Sequence, residues 1–159
     1  MNQQLKSPYI NGWLVVDKPR GIGSTDIVSL VKKRIGFKKV GHGGTLDPDA
    51  TGLLPIAIGE ATKTIRFTEN LLKTYEFRVT LGVSTDTDDA SGNIIRRSEK
   101  RPNTNDIRKA LKNFKGEVQQ TPPKLSAIKL NGRRAYDLFR QGLEFKLSLR
   151  NIYISKVEI

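Results

Sequence analysis

The sequence predicts an α+β fold, a mixed and largely antiparallel sheet with flanking helices. Three observations carry this expectation. Short apolar runs, and one stretch in which apolar and polar residues alternate, are divided by turns rich in glycine, proline and aspartate, the pattern of strands. Two other stretches repeat their apolar residues at helical spacing behind side chains able to cap a helix. The chain of 159 residues is the size of one domain able to bury a core.

Composition narrows the class of partner. Lys+Arg 28 against Asp+Glu 16 leaves a formal net charge of +12. A surplus of that size favours a polyanion, because each phosphate neutralised releases counterions. No run approaches the roughly 18 apolar residues of a membrane span. The stretch from Met1 to Ile10 has neither a signal-peptide core nor an Arg-rich transit pattern. With no cysteine and one histidine, disulfides, thiol chemistry and a Cys- or His-based metal site are not expected. The expected setting is a soluble, cytoplasmic, metal-free protein.

Gly12 to Val16 is an apolar run that reads as a buried strand, followed by a polar turn from Asp17 to Ser24. Ser24 is the expected cap of a helix from Thr25 to Ile35, with Ile27, Val28, Val31 and Ile35 on one face. Lys32, Lys33 and Arg34 suit the negative end of its dipole, and Gly36 ends it. Lys38 and Lys39 lead, as a basic approach, to His42. After a loop from Gly41, Leu53 to Ile58 reads as a core strand or buried turn, and a short helix ends near Thr68. From Thr74 to Val83 the period is two: Tyr75, Phe77, Val79, Leu81 and Val83 share a face opposite Glu76, Arg78 and Thr80. Asn93 to Arg97 is the expected partner strand. Asp86, Asp88 and Asp89 between them lack the glycine and terminal glutamate of a calcium loop and read as turn chemistry.

Thr104 is the expected cap of a second helix bearing Ile107, Ala110, Leu111 and Phe114, with Gly116 as its stop. Gln119 to Pro123 reads as a breaker. Lys124 to Gly142 then reads as a strand, an Asn131-Gly132 turn and a short helix. Seven cations between Lys124 and Arg150 face only Asp137 and Glu144. Lys124, Lys129, Arg133, Arg134 and Arg140 are the candidate RNA-binding residues, interleaved with Tyr136 and Phe139, for which a packing role is the better reading. Asn151 to Ile159 is the expected final strand.

The candidate catalytic stretch runs from Gly41 to Pro55. It holds the single histidine, four glycines and Asp47 directly before Pro48. Proline fixes its own φ and pushes the residue before it out of the helical region, so Asp47 is expected in an extended conformation on a stiff loop. An aimed carboxylate suits a nucleophile or general base, although Asp-Pro by itself also simply begins a turn.

The fifteen residues match G-H-x-G-x-L-D-P-x-A-T-G-x-L-P at every fixed position, and Asp17 to Ser24 match D-K-P-x-G-x-x-S. In both respects the chain resembles the TruB family of pseudouridine synthases. The resemblance implies a pseudouridine-synthase-like fold and the isomerisation of uridine 55 in the T-loop of tRNA, without guide RNA and without a cofactor. It implies that Asp47 starts glycosidic cleavage, by attack on the sugar, attack on C6 of the base or removal of the C2′ proton. It implies substrate-binding roles for His42, in the space of the disrupted T-loop, for Tyr75, stacked on the flipped base, and for Lys18, which with Pro19 supports the loop. Lys124 to Gly142 resembles the insertion that closes over the T-stem loop in bacterial members. The expected partner is therefore tRNA, engaged by a monomer. Family members continue well past this span, with an arginine motif that pairs the catalytic aspartate and usually a PUA domain. The expectation is a single, N-terminal and incomplete catalytic domain over 1–159. Two alternatives stand beside it: a guide-RNA-dependent rRNA pseudouridine synthase relative, and a non-catalytic RNA-binding or RNA-folding fragment.

Overall fold

The computed structural model describes residues 10–68, 71–126 and 128–159. The chain divides into two compact units, Met1–Glu76 and Phe77–Ile159. The first is built on strands β1 (Gly12–Lys18), β2 (Val40–His42) and β3 (Gly52–Ile58), with β3 in the centre and antiparallel to both neighbours. Helix α1 (Ser24–Ile35) follows β1, and a 3₁₀ helix over Gly59–Thr68 follows β3. Ile27 and Val28 of α1 pack with Val40, Leu54, Ile56 and Ile58 of the sheet into the buried core, flanked by Val16, Ile22, Val31, Ile35, Phe37 and Leu46. The helical spacing of the α1 residues and the apolar run of β3 therefore meet as the sequence pattern requires.

Proline in a central strand needs a reason, since it cannot donate to a ladder. The β2–β3 register ends at His42 opposite Ile56. Pro55 thus lies just past the end of β2, while its carbonyl still accepts from Gly43 N at 2.8 Å. The N and O of one residue point to the same neighbour in an antiparallel pair, so the missing N–H falls where the ladder has already stopped.

Two local expectations for α1 differ in outcome. Gly36 ends it in the left-handed region at φ 70°, its N–H bonded to Lys32 O. The cap, however, is Gly23 rather than Ser24: the Gly23 carbonyl takes the first helical N–H bonds, and the Asp26 carboxylate accepts from Gly23 N. Ser24 is drawn away to a different task.

In the second unit, β4 (Val83–Thr85) pairs with β5 (Ile94–Arg97), and the expected partner strand is therefore present. The long strand expected from Thr74 is not. Residues 71–80 carry no strand and are exposed throughout. A period-two pattern creates a sheet face only when a neighbouring strand satisfies the main chain, and none is supplied among the described residues. The acidic turn uses its carboxylates internally: Asp86 accepts from Asn93 N at 2.9 Å, and Asp89 from Ser91 N and Thr87 Oγ1, both at 2.8 Å.

Helix α2 (Thr104–Leu111) is capped by Asn103, whose side chain accepts from Asp106 N, so the cap sits one residue before the expected Thr104. A short 3₁₀ turn, Lys112–Phe114, continues it. Strand β6 (Gly116–Gln120) occupies part of the expected breaker and pairs antiparallel with β9 (Arg150–Ile154), which stops short of the expected Ile159. Between them β7 (Lys129–Leu130) and β8 (Arg133–Arg134) form a hairpin leading to α3 (Ala135–Arg140). Asn131 and Gly132 both take positive φ, 49° and 82°, as a two-residue primed turn demands.

Candidate active site

The stretch from Gly41 to Pro55 is a hairpin in the first unit: β2 leads into it, β3 leads out, and Asp47 lies on the loop between. Its base is tightly packed. A Cβ on the buried Gly43 would meet Thr68 Oγ1 at 2.9 Å and Trp13 Cζ3 at 3.1 Å, so only glycine fits there. Thr68 Oγ1 donates to Gly43 O, tying the 3₁₀ helix to the loop. At the exit Gly52 takes φ 127°.

Both neighbours of Asp47 are tied down from the β1–α1 connection. On one side, the Ser24 hydroxyl accepts from Leu46 N and donates to Leu46 O, each at 2.9 Å. On the other, Pro48 O accepts from Gly21 N at 2.8 Å and from Lys18 Nζ at 3.2 Å. Lys18 also donates to Ile22 O at 2.7 Å and Pro19 O at 3.0 Å. Its ammonium is thus satisfied by three carbonyls of the two segments that it joins. An ammonium removed from water needs such a set, because an unpaired buried charge is costly. Arg20 and Asp49 form an exposed ion pair at 3.2 Å beside this junction. The loop closes on itself through Ala50 N to Asp47 O at 3.0 Å.

Asp47 itself is exposed, and among the described residues its carboxylate has no hydrogen-bond or ion-pair partner. The main chain around the carboxylate is held while the carboxylate faces solvent. That arrangement leaves a nucleophile or base free to meet a ligand in a fixed orientation.

His42 ends β2, and its Nδ1 is buried without a hydrogen-bond partner among the described residues. It lines a cleft of about 330 Å³ with Gly43, Gly44, Thr45, Ile65 and Lys73. Asp47 lies two residues beyond Thr45 and does not line this cleft. Lys18 is fully buried, and its ammonium is taken up by the carbonyls of Pro19, Ile22 and Pro48. Tyr75 is 64% exposed and lies on no strand, so the strand that would orient its ring is missing. Asp47, His42 and Lys18 are thus gathered at the same sheet end, and Lys73, two residues before Tyr75, lines the His42 cleft.

In the second unit Lys124, Lys129, Arg133, Arg134 and Arg140 are all exposed. The hairpin places Lys129 directly opposite Arg134. Like charges opposed across two strands are destabilising unless an anion offsets them. Arg133 donates to Gln141, and the Arg140 guanidinium lies 5.8 Å from the Tyr136 ring centroid. Tyr136 and Phe139 are half-buried, as a packing role implies. Sequence reasoning missed Ser24 as a loop clamp because serine before a helical pattern reads first as a cap.

Comparison with known proteins agrees with this geometry. Residues 32–159 match the TruB family pseudouridylate synthase (N terminal domain). The tRNA pseudouridine synthase B of Ruegeria sp. (strain TM1040) is 51% identical over 157 residues, covering 99% of this chain and 52% of the relative. That of Paracoccus denitrificans (strain Pd 1222) is 50% identical over 154 residues, covering 97% and 52%. One chain in the crystal structure of a Cbf5-Nop10-Gar1 complex superposes with a TM-score of 0.57 at 25% identity, over 93% of this chain and 36% of that one. The chain spans about half the length of the curated relatives that it matches. With its family motif, its loop geometry and four-fifths of its length in register with the family domain, this chain belongs to the TruB family of pseudouridylate synthases.

Proposed function

We propose that the chain provides the catalytic loop and part of the RNA surface of a tRNA pseudouridine synthase that isomerises uridine 55 without guide RNA. In this reading 1–159 is the N-terminal part of one catalytic domain, and the partner is the T-stem loop of tRNA, bound by a monomer. Uridine leaves the base stack, at a cost of a few kcal/mol. The Asp47 carboxylate starts cleavage of the N1–C1′ bond, the base turns, and C5 bonds to C1′. The proton on C5 is lost to solvent and N1 gains one, so the reaction is an isomerisation with no net oxidation or transfer.

The observation carrying this reading is the exposed Asp47 carboxylate, without a partner among the described residues, between two clamped neighbours, Leu46 and Pro48. His42, at the end of β2 beside the cleft, is proposed to meet the displaced T-loop, and Tyr75 the flipped base. Lys124, Lys129, Arg133, Arg134 and Arg140 are proposed to meet phosphates. The exposure of all five cations on the hairpin and α3, with few carboxylates nearby in sequence, supports that assignment. Phosphate contacts supply most of the affinity, and Asp47 supplies little of it.

The test grafts this chain in frame onto the second half of the Ruegeria sp. (strain TM1040) relative and follows tritium release from tRNA labelled at uridine C5. Asp47→Asn should abolish release while tRNA binding persists. Asp49→Asn, on the same loop, should keep most turnover. Release by Asp47→Asn at near the parent rate would refute the catalytic assignment.

A further inference from the structure

The densest positive charge of the second unit lies outside the β7–β8 hairpin and α3. Between Ile94 and Lys115 eight cations stand against two carboxylates, Glu99 and Asp106, a surplus that is half of the +12 carried by the whole chain. The cations of α2 and of the 3₁₀ turn after it have a structural use, since positive charge at a helix C-terminus suits the dipole. Arg96 and Arg97 have no such use: they lie on strand β5, and sheets carry little net dipole. Both are exposed, and among the described residues neither side chain forms a hydrogen bond or an ion pair. The carboxylates at the far end of the hairpin do not neutralise them, because Asp86 and Asp89 are taken up by the turn.

A β-bulge sets where the two arginines stand. Thr85 pairs with Ile94, but Ser84 pairs with Arg96 and Val83 with Arg97, so Ile95 is the extra residue. One inserted residue exchanges the two faces, so Arg96 and Arg97 each take the face that an unbroken register would give the other. Together they line a cleft of about 260 Å³ with Gly82, Val83, Ser84 and Ser98. Its base is tight: Ser98 N donates to Gly82 O at 2.9 Å, and a Cβ on Gly82 would meet Ser98 O at 2.6 Å and Arg101 Nη1 at 2.7 Å. The Arg101 guanidinium is fixed there by Ser98 O at 2.9 Å and Lys100 O at 3.0 Å. Among the lining residues Val83 alone is apolar, so the cleft suits neither an acyl chain nor an apolar peptide side chain. It holds no aromatic ring on which a base could stack. Guanidinium forks match phosphate in charge and geometry. We propose that Arg96 and Arg97, at the base of the β4–β5 hairpin, form a phosphate-contact site for an RNA backbone, additional to the cations of the β7–β8 hairpin and α3 and indifferent to base sequence. RNA is preferred among polyanions because the relatives are named for tRNA, and to that extent the site rests on the proposed function. It does not depend on Asp47 or on which uridine reacts.

The experiment measures binding of the 159-residue chain to a short RNA duplex without a loop, by fluorescence anisotropy across a salt series. Arg96→Gln with Arg97→Gln should weaken binding about 10-fold at low salt and lower the logarithmic salt slope by about 1–2. Arg96→Lys with Arg97→Lys keeps the charge but not the fork, and should restore the slope with an affinity between the two. Arg108→Gln with Lys112→Gln removes equal charge from α2 and should weaken binding no more than about 3-fold. An equal loss from the α2 pair would show that net charge alone acts, and would overturn the site. Unchanged affinity and slope in the Arg96→Gln, Arg97→Gln protein would overturn it as well. Polyglutamate bound as tightly as the duplex, with the same dependence on Arg96 and Arg97, would overturn it in favour of an acidic polypeptide. A urea midpoint equal to the parent's shows that the fold is intact. Where the glutamine pair lowers that midpoint, the lysine pair decides: weaker binding at an unchanged slope supports the site, and parent affinity overturns it. No turnover is read, so a failed catalytic test leaves this site standing, and a failed duplex test leaves the role of Asp47 standing.

Discussion

Replacing Ser24 by alanine isolates the clamp on Leu46 from everything else at the loop. The serine is 4% exposed, and its one hydroxyl serves both polar groups of the Leu46 main chain at 2.9 Å. Each hydrogen bond contributes about 1 kcal/mol net, and a partly buried group left unpaired adds a further penalty of similar size. Two bonds are lost, and water recovers part of the loss because Leu46 is only half-buried. The expected cost is about 2 kcal/mol, measured as a shift in urea midpoint at unchanged slope. Ser29→Ala is the internal control: its hydroxyl bonds Thr25 O at 3.1 Å on the exposed face of α1, and its loss should stay within about 0.5 kcal/mol. In the full-length graft Ser24→Ala should lower kcat about 10-fold with KM nearly unchanged, because a loosened loop misplaces the carboxylate without removing RNA contacts. A Ser24→Ala protein no less stable than Ser29→Ala, with parent kcat, would refute the clamp.

Three further perturbations follow from the same geometry. Lys18→Ala removes a buried stem and leaves the carbonyls of Pro19, Ile22 and Pro48 short of a donor, so a loss of about 2–4 kcal/mol is expected in denaturant titration. Arg133→Ala with Arg134→Ala should weaken tRNA binding and flatten its salt dependence by about 1–2 in logarithmic slope, and an unchanged slope would show that neither meets phosphate. The Glu60 carboxyl is held at about 2, below its ordinary 4.5, first by the hydrogen bond from Lys39 and then by that from Lys63. A depressed carboxylate stabilises the fold above 4.5 and loses that contribution as pH falls through about 2. The melting temperatures of the parent and Glu60→Gln should therefore differ near neutrality, by a small and salt-sensitive amount for so exposed a group, and converge toward pH 2.

Local signals in the sequence carried the first unit well. The period of Ile27, Val28, Val31 and Ile35, the stop at Gly36 and the apolar run ending at Ile58 each require only near neighbours, and each matches an element. Caps were less legible, because Gly23 and Asn103 each compete with a hydroxyl residue beside them and tertiary demand decides the winner. Ser24 was drawn to Leu46, a contact 22 residues away that no local pattern encodes. The same holds for Lys18, whose place under Pro48 spans 30 residues. The period of Tyr75 to Leu81 is clear in the sequence, yet no strand forms. Periodicity reports the face that a strand would bury and not the presence of the partner that would bury it. The Gly41–Pro55 motif pointed to Asp47 by resemblance, whereas the pinning of both its neighbours is visible only in three dimensions.

The two clamps also bear on the order in which the loop acquires its shape. The β2–β3 hairpin closes locally, whereas Ser24 and Lys18, made well before Asp47, reach forward to Leu46 and Pro48. Loop-closure entropy rises only slowly with separation, so both tethers form at modest cost once β1 and β3 pair. Every residue of this assembly lies before Glu76. On a ribosome, where synthesis proceeds from the N-terminus, the chain can therefore set the orientation of Asp47 before any residue of the basic hairpin has been translated.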